Sequence, residues 1–434
     1  MSTVPAPAAP TTVDPAPVRK GDAVAVLAGL TACLLPFLAP AGPGNTAPAD
    51  LMIVVTIGAA FLWATREQLP VRLPYTWGVT LMVLGGALAA LLAHAPVTSA
   101  LVLVQDGLLL MWCATLALGR HDPAIIAFVT RAWCRTAAIY ATIGVAAYLI
   151  GLSAVSGVSA KDGVRASYTL GDPNLAGNYL VVSLFLMMAC KCPRSPSLRR
   201  LAYLVVLLAM GFTGSNGAML TLLVGGGLAV TLWRYQSGAL WGTLTLAVSL
   251  LLVGVMAFLV MPRVDLGSLR ERAAGSVPLL RDSFGRSGSS TSERATIVQE
   301  GFTLFMQGDV TGYGPARTKA TLQETQAPYV KEAHNDYLAT LLERGVLGAL
   351  GLLVLGVAIA ARCARLLLRS LPPPYDAIVP RPWLLVVIAP VMATAAGFYE
   401  TLHFRHLWTW LGIVAALTLA IQDHESPRHQ EEAR

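Results

Sequence analysis

A histidine lies where a long polar segment runs into a strongly apolar one, in the stretch E-A-H-N-D-Y-L-A-T-L-L-E-R-G from Glu332 to Gly345. An unperturbed imidazole changes its charge near neutral pH, so His334 could accept or donate a proton at a membrane surface. At helical spacing His334, Leu338 and Gly345 share one face, where the glycine would let a neighbouring helix approach closely. The position also fits a histidine that merely marks the membrane interface, and position alone does not separate the two interpretations.

The polar segment 263–333 that precedes this histidine carries nine lysines and arginines and eight acidic residues, so its net charge is near zero. Ser290 with Glu293 fits a capping box, which predicts a helix over roughly 291–306 and places Arg294 in its first turn. A guanidinium offers phosphate oxygens paired and permanently charged donors, so these arginines suit an anionic substrate. We expect the buried face of the helix to carry Val298, Phe302 and Phe305.

A second polar segment, V-R-A-S-Y-T-L-G-D-P-N-L-A-G-N-Y, precedes the apolar run that begins near residue 174. Asp172 and Pro173 predict a helix start there, because aspartate caps helices and proline suits the first turn. This local role also accounts for Asn174. It does not account for Arg165, because positive charge is disfavoured on the external side of a membrane, to which the charge distribution assigns this segment. We therefore interpret Arg165 as a functional residue.

Two further groups of ionisable side chains leave alternatives open. Asp106 falls inside an apolar run, where a carboxylate is either a functional group or the partner of a structural arginine. A second group lies between the last two apolar runs and contains Glu400, His403, Arg405 and His406. With His334 this group could ligate a metal or contact a substrate, although histidine is also ordinary at a membrane interface.

The elements that must position these residues are transmembrane helices. The chain has 434 residues, 55% of them hydrophobic and 13% charged, and its mean hydropathy of +0.62 excludes a soluble globular protein. Apolar runs long enough to cross a ~30 Å hydrocarbon core recur along it. We predict an all-α polytopic membrane protein of about twelve transmembrane helices, near 23–41, 50–65, 76–95, 99–119, 124–150, 174–190, 200–213, 216–233, 240–262, 335–361, 382–399 and 404–421.

The placement of lysine and arginine predicts the orientation of these helices. The loops on one side are rich in both residues, whereas the short loops around 42–49, 96–98 and 214–215 carry neither. Both termini should therefore be cytoplasmic, and the formal charge of +7 reflects this bias rather than nucleic-acid binding. The predicted regions are a cytoplasmic disordered tail (1–22), helices 1–9 (23–262), one long external loop with short helices (263–333), helices 10–12 (334–422) and a cytoplasmic tail (423–434).

The six cysteines lie in the apolar runs or at their cytoplasmic ends. None lies in a predicted external loop, so no disulfide framework is implied. Cys190 and Cys192 have the wrong spacing for a usual zinc knuckle and lack further ligands nearby in the sequence. We therefore assign no metal and no cofactor.

Three motifs follow one another in an order that resembles a known family. They are R-A-S-Y-T-L-G-D-P-N before one span, S-E-R-A-T-I-V-Q-E-G with G-Y-G-P in the long loop, and H-N-D-Y-L-x6-G after it. Together with twelve spans they resemble the O-antigen ligase family, whose superfamily also contains O-antigen polymerases and protein O-oligosaccharyltransferases. The resemblance covers residues 160–345 by motif and the rest by topology.

The resemblance implies a glycosyltransferase of the bacterial inner membrane whose active site faces the periplasm, as does the loop 263–333. It would move O-antigen polysaccharide from undecaprenyl diphosphate to a lipid A-core sugar. The predicted external segments carry no Asp-x-Asp metal motif, so guanidinium groups would take the place of a metal. Direct attack on an α-linked donor would invert the anomeric carbon. The functional histidine and arginines of the family map onto His334, Arg294 and Arg165, and we assign His334 as the general base and Arg294 to the diphosphate. We further assign substrate binding to Arg165, Arg317, Asn335, Tyr313 and Asn174.

One departure from the family pattern bears on donor binding. In T-G-S-N-G-A, Asn216 stands where family members often have arginine. Either part of the positive charge comes from elsewhere, such as Arg317 or Arg165, or that arginine is not essential. The acceptor also stays open, because a polymerase or a protein glycosyltransferase of the superfamily would carry the same motifs. A twelve-helix secondary transporter is the alternative outside enzymes, and it would predict internal repeats and paired charges at mid-membrane.

Overall fold

The computed structural model describes residues 21–38, 46–93, 96–158, 164–238, 296, 299–306, 310–324 and 335–426. Within these ranges all regular secondary structure is helical. The helices are α1 (Asp22–Leu34), α2 (Pro48–Arg66), α3 (Thr76–Leu92), α4 (Pro96–Ala117), α5 (Pro123–Leu149), α6 (Ser153–Ser156), α7 (Pro173–Ala189), α8 (Pro196–Thr213), α9 (Asn216–Gln236), α10 (Thr318–Glu324), α11 (Asp336–Leu368), α12 (Tyr375–Ile378), α13 (Trp383–Ala396) and α14 (Arg405–Glu425).

The all-helical class is confirmed, and eleven of the twelve predicted segments coincide with described helices. The ninth segment, 240–262, lies outside the described residues, as does most of the loop 263–333, so twelve spans and a periplasmic loop stay predictions. Four apolar helices, α1, α3, α7 and α13, have only 13 to 17 residues. Among the residues that the structure describes, five helices are long and apolar enough to cross a membrane: Pro48–Arg66, Ser99–Arg120, Pro196–Thr213, Asn216–Gln236 and Asp336–Leu368.

Proline and short polar side chains fix where many of these helices begin. Proline occupies the first position of α2, α5, α7 and α8, where a missing N–H costs no helical hydrogen bond. Asp122, Ser215 and Asn335 cap α5, α9 and α11 by accepting backbone N–H groups. The polar loops that carry the candidate site therefore join the apolar helices at defined residues.

Helices α7 and α14 form the interior. Every residue of α14 from Arg405 to Ile421 is buried, and so is most of α7. The indole of Trp112 on α4 donates to Thr409 Oγ1 (3.0 Å), which pairs two buried polar groups. By contrast, no more than a third of the membrane-crossing window of α2, α8, α9 or α11 is buried. Their outward apolar faces suit contact with lipid.

Helix α11 is broken at Gly345, whose φ of 62° and ψ of −165° are not helical. A Cβ at this residue would overlap Val310 O and Thr311 O. The prediction that Gly345 lets a neighbouring helix approach is therefore wrong, because a loop contacts it. The close helix approach lies one residue earlier, where a Cβ on Gly85 of α3 would stand 2.6 Å from Arg344 O. We call residues Asp336–Arg344, before the break, the short helix.

The predicted helix 291–306 is described only in part. Residues 299–306 are helical. Gly301 is buried and faces the short helix, since its Cβ would lie 2.8 Å from Leu338 Cδ2. The predicted buried face is wrong at Phe302, which is 55% exposed. Val298 and the capping box lie outside the described residues.

Candidate functional site

The two predicted catalytic residues, His334 and Arg294, lie outside the described residues. The structure does describe all five predicted substrate-binding residues. It brings Arg165 and Asn174 into direct contact, because Arg165 Nη2 donates to Asn174 Oδ1 at 2.8 Å. Arg165 Nε also donates to Thr213 O at 2.9 Å. The guanidinium is thus fixed between the start of α7 and the end of α8.

The carboxamide oxygen of Asn174 is the centre of this arrangement. Besides Arg165, it accepts from Ser215 Oγ at 3.0 Å and from Tyr399 OH at 3.4 Å. The Ser215 and Tyr399 hydroxyls also lie 3.1 Å apart. We call Arg165, Asn174, Ser215 and Tyr399 the Asn174 cluster. It joins four separate parts of the chain through side-chain hydrogen bonds.

The first turn of α7 holds Asn174 in place. Asp172 Oδ1 accepts from Asn174 N (2.6 Å) and Leu175 N (3.0 Å), so the cap predicted from the sequence is confirmed. Pro173 occupies the first helical position. The side chain of Asn174 is thereby presented at the start of α7, which is a largely buried helix.

The stretch that contains Asn216 lies against the same cluster. Ser215 caps α9 by accepting from Ala218 N at 3.2 Å, and Asn216 is the first residue of that helix. Gly217 has no room for a side chain, because a Cβ there would overlap Tyr399 OH. The Arg165 guanidinium, through its contact with Thr213 O, therefore lies against the segment that contains Asn216.

The loop 399–402 connects the Asn174 cluster to the start of the short helix. Asn335 Oδ1 accepts from Tyr337 N (3.0 Å) and Leu338 N (3.2 Å), so it acts as the N-cap. Asp336 Oδ2 accepts from Thr401 N (2.7 Å) and Thr401 Oγ1 (2.6 Å). Tyr399, two residues before Thr401 in the same loop, donates to Asn174 Oδ1. The loop 399–402 therefore contacts both predicted substrate-binding regions, at Asn174 and beside Asn335. His334 is bonded to Asn335.

Tyr313 and Arg317 lie instead at the other end of the short helix. Tyr313 N donates to Leu342 O (2.8 Å), and its hydroxyl donates to Leu304 O (3.1 Å). Arg317 forms an ion pair with Glu324 at 3.3 Å, and its side chain is 30% exposed. The described contacts do not join either residue to the Asn174 cluster. Their assignment to substrate binding stays a prediction.

The structure shows partners for three of the other ionisable residues, Asp106, Arg405 and His406. Asp106 pairs with Arg344 within the bundle, and both side chains are about 95% buried. Arg405 forms a two-pronged pair with Asp50, at 2.9 and 2.6 Å. His406 Nε2 lies 2.8 Å from Asn178 Oδ1. Within the described ranges no group of three or more potential ligands is arranged to hold a metal ion.

Three residues of this region were missed from the sequence: Ser215, Tyr399 and Thr401. Ser215 carried a local signal, since serine before a helix is a usual N-cap. Tyr399 and Thr401 carried none, because their contacts are with residues more than 60 positions away. Only the three-dimensional packing of the loop shows that they belong to the site.

Comparison with known proteins gives a family match that covers part of this site. No curated protein matches the chain. The model of a family described as O-antigen ligase matches residues 201–353. That range contains Ser215, Asn216 and the whole of the short helix. The resemblance of this chain to the O-antigen ligase superfamily, drawn from its motifs, is therefore confirmed over residues 201–353.

Proposed function

We propose that this protein is a membrane glycosyltransferase that transfers O-antigen polysaccharide from undecaprenyl diphosphate to a lipid A-core sugar on the periplasmic side of the inner membrane. The observation that carries the proposal is the fixed Arg165 guanidinium, which contacts Asn174 and the carbonyl of Thr213, three residues before Asn216. Asn216 lies in the family-matched region, at the position where the family motif often has arginine. Arg165 would supply that charge from another part of the chain.

The anionic leaving group gives the arginines their role. When the bond between the anomeric carbon and the diphosphate breaks, negative charge develops on the diphosphate oxygens. A guanidinium stabilises such charge through paired hydrogen bonds and cannot be deprotonated. Arg165 is held by two acceptors before substrate arrives, so little reorganisation is needed during the reaction. We assign Arg294 to the same diphosphate.

The acceptor hydroxyl needs a base as it attacks. We assign His334 to this step: the hydroxyl oxygen bonds to the anomeric carbon, its proton passes to the imidazole, and the diphosphate departs from the opposite face. Such a general base typically contributes ~10²–10⁴-fold. Direct displacement inverts the anomeric centre. The link from Tyr399 through Thr401 to Asp336 supports placing the residue before Asn335 near the Asn174 cluster.

The acceptor separates this proposal from its neighbours in the superfamily. A polymerase would use the growing glycan, and a protein transferase would use a serine or threonine hydroxyl. The same arginines and histidine would serve all three. A secondary transporter is less well supported, because the match to an O-antigen ligase family favours a glycosyltransferase-like membrane enzyme.

The test is to move the charge. Arg165→Ala should reduce glycan transfer in membranes supplied with the lipid-linked donor. Arg165→Ala/Asn216→Arg should recover a large part of it, because the guanidinium returns from the position that the family pattern favours. Asn216→Arg alone is the control. If Arg165→Ala transfers glycan at the wild-type rate, Arg165 does not bind the donor.

A further inference from the structure

The break in α11 leaves backbone N–H and C=O groups without partners in their own helix, and the loop 310–318 forms hydrogen bonds with them. Val346 N donates to Val310 O (2.9 Å) instead of to its own helix. Leu342 O accepts from Tyr313 N (2.8 Å), and Glu343 O accepts from Gly314 N (3.1 Å). The loop 310–318 is therefore hydrogen-bonded through its backbone to the end of the short helix.

The side chain of Glu343 fastens the same loop. Its carboxylate accepts from Ala316 N (2.9 Å) and from Thr318 Oγ1 (2.8 Å). Ser99 Oγ of α4 donates to Pro315 O at 3.0 Å. The short helix, the loop 310–318 and α4 thus form one connected unit.

Within this unit, Arg344 and Asp106 form the charged contact between the short helix and α4. Their side chains are only 4% and 5% exposed. Attraction between charges is much stronger in such surroundings than in water. Removing one partner leaves the other charge buried and unpaired. The orientation of the short helix therefore depends on this pair.

The second half of α11 is held by other contacts. Gly78 and Gly351 allow its backbone to touch that of α3, since a Cβ on Gly351 would lie 2.6 Å from Met82 N. Loss of the ion pair should therefore move the short helix and its loop while α11 after Gly345 stays packed. Because Asp336 begins the short helix, movement at Arg344 is transmitted to the residues that follow His334.

We infer that Asp106 is a positioning residue that acts through Arg344 to hold the short helix and the loop 310–318 in place for the reaction. This inference rests on the proposed function, because the reaction explains why the short helix must be held in place. It goes beyond the proposed function, because Asp106 would affect turnover although it makes no contact with the substrate. Misplacement of a catalytic group by about 1 Å can cost ~10²-fold in rate.

The first test reads the loop directly and does not require glycan transfer. Amide hydrogen exchange of the full chain in nanodiscs should show faster exchange in 310–318 for Asp106→Asn, by about tenfold or more. The control is Asp423→Asn, which removes the ion pair between Asp423 and Arg120 (3.1 Å), three residues beyond the end of α4. It should leave exchange in 310–318 unchanged.

The second test measures kinetics. Asp106→Asn should lower kcat by ~10²-fold with the KM for the donor nearly unchanged, and Asp106→Glu should restore part of kcat. Should Asp106→Asn fail to fold, Asp106→Leu/Arg344→Met removes both charges without leaving one unpaired, and it should fold with the same exchange and kcat defects.

The outcomes separate the two ideas. Wild-type exchange in 310–318 for the folded Asp106 variants would overturn the positioning role, and so would a wild-type kcat. If the wild-type protein transfers no glycan but Asp106→Asn still speeds exchange in 310–318, the proposed function is overturned. The conclusion that Asp106 positions the loop would then still stand. A defect that Asp423→Asn reproduces would identify general destabilisation and overturn the inference.

Discussion

One oxygen atom, Asn174 Oδ1, receives three donors from the guanidinium of Arg165 and the hydroxyls of Ser215 and Tyr399. This concentration of donors on a neutral acceptor leaves the net charge of the cluster positive. An anion is attracted to such a site more strongly than to one with a carboxylate at its centre. The identity of residue 174 should therefore affect donor affinity more than folding.

Asn174→Asp tests this at nearly constant shape. The new carboxylate would strengthen the contact with Arg165 but would oppose the diphosphate, so we expect a KM for the donor at least about tenfold higher, equivalent to ~1.4 kcal/mol. Donor titration in a reconstituted transfer assay would measure it. The matched control is Asp172→Asn, which keeps a good N-cap in the same turn. Unchanged donor affinity in Asn174→Asp would contradict an anionic ligand at the cluster.

Cys192, in the loop between α7 and α8, differs from an ordinary thiol. A hydrogen bond donated by the Cys134 thiol lowers its pKa to about 7, and the nearby charges of Arg135, Arg131 and Arg194 act in the same direction, while burial opposes them. More thiolate is therefore present at neutral pH than for an unperturbed cysteine. We expect its alkylation rate to rise through a midpoint near that pKa.

Mass spectrometry of iodoacetamide-treated membranes over a pH series would locate this midpoint. Cys134→Ala removes the donated hydrogen bond, so the midpoint should move to higher pH. A midpoint that is the same in both proteins would show that the hydrogen bond does not control the thiol.

At the level of elements, the sequence indicated most helices but not the break in α11. Periodicity and proline placement report local preferences, and the cap at Asp172 followed from them. Gly345 lies inside a long apolar run that favours a continuous helix, and a single glycine is a modest local signal. What opens the helix is the contact with Val310 and Thr311, residues about 35 positions earlier. No local pattern contains that information.

Gly345→Ala should therefore disrupt the end of the short helix. The residue has a positive φ, and its added Cβ would overlap the loop backbone, a conflict that costs of order 1–3 kcal/mol. We expect lower thermal stability and reduced transfer. The control is Gly356 in the same helix, which has helical geometry and where an added Cβ would meet no atom within 4 Å. Gly356→Ala should be neutral or slightly stabilising, and equal losses in both variants would argue against the break.

For the whole molecule, the charge distribution along the sequence predicts sidedness, which hydrogen bonds cannot report. Ser289→Cys should react with an impermeant maleimide added from outside, whereas native Cys192 should react only after the membrane is opened. Spheroplast labelling followed by peptide mapping would measure both. The reverse pattern would place the loop 263–333 in the cytoplasm and remove the basis for a periplasmic reaction.

Two of the short apolar helices, α1 and α3, also have a consequence for the surrounding lipid, because both carry exposed apolar side chains. A helix of 13 to 17 residues is about 20–26 Å long, less than the ~30 Å thickness of an average hydrocarbon core. Lipids beside such helices relieve the mismatch by thinning. A thinned annulus would lower the barrier that a lipid-linked sugar meets when its polar head moves toward protein at the membrane surface. The thickness of the bilayer would then be a determinant of turnover, and dimyristoyl lipids should support faster transfer than dierucoyl lipids.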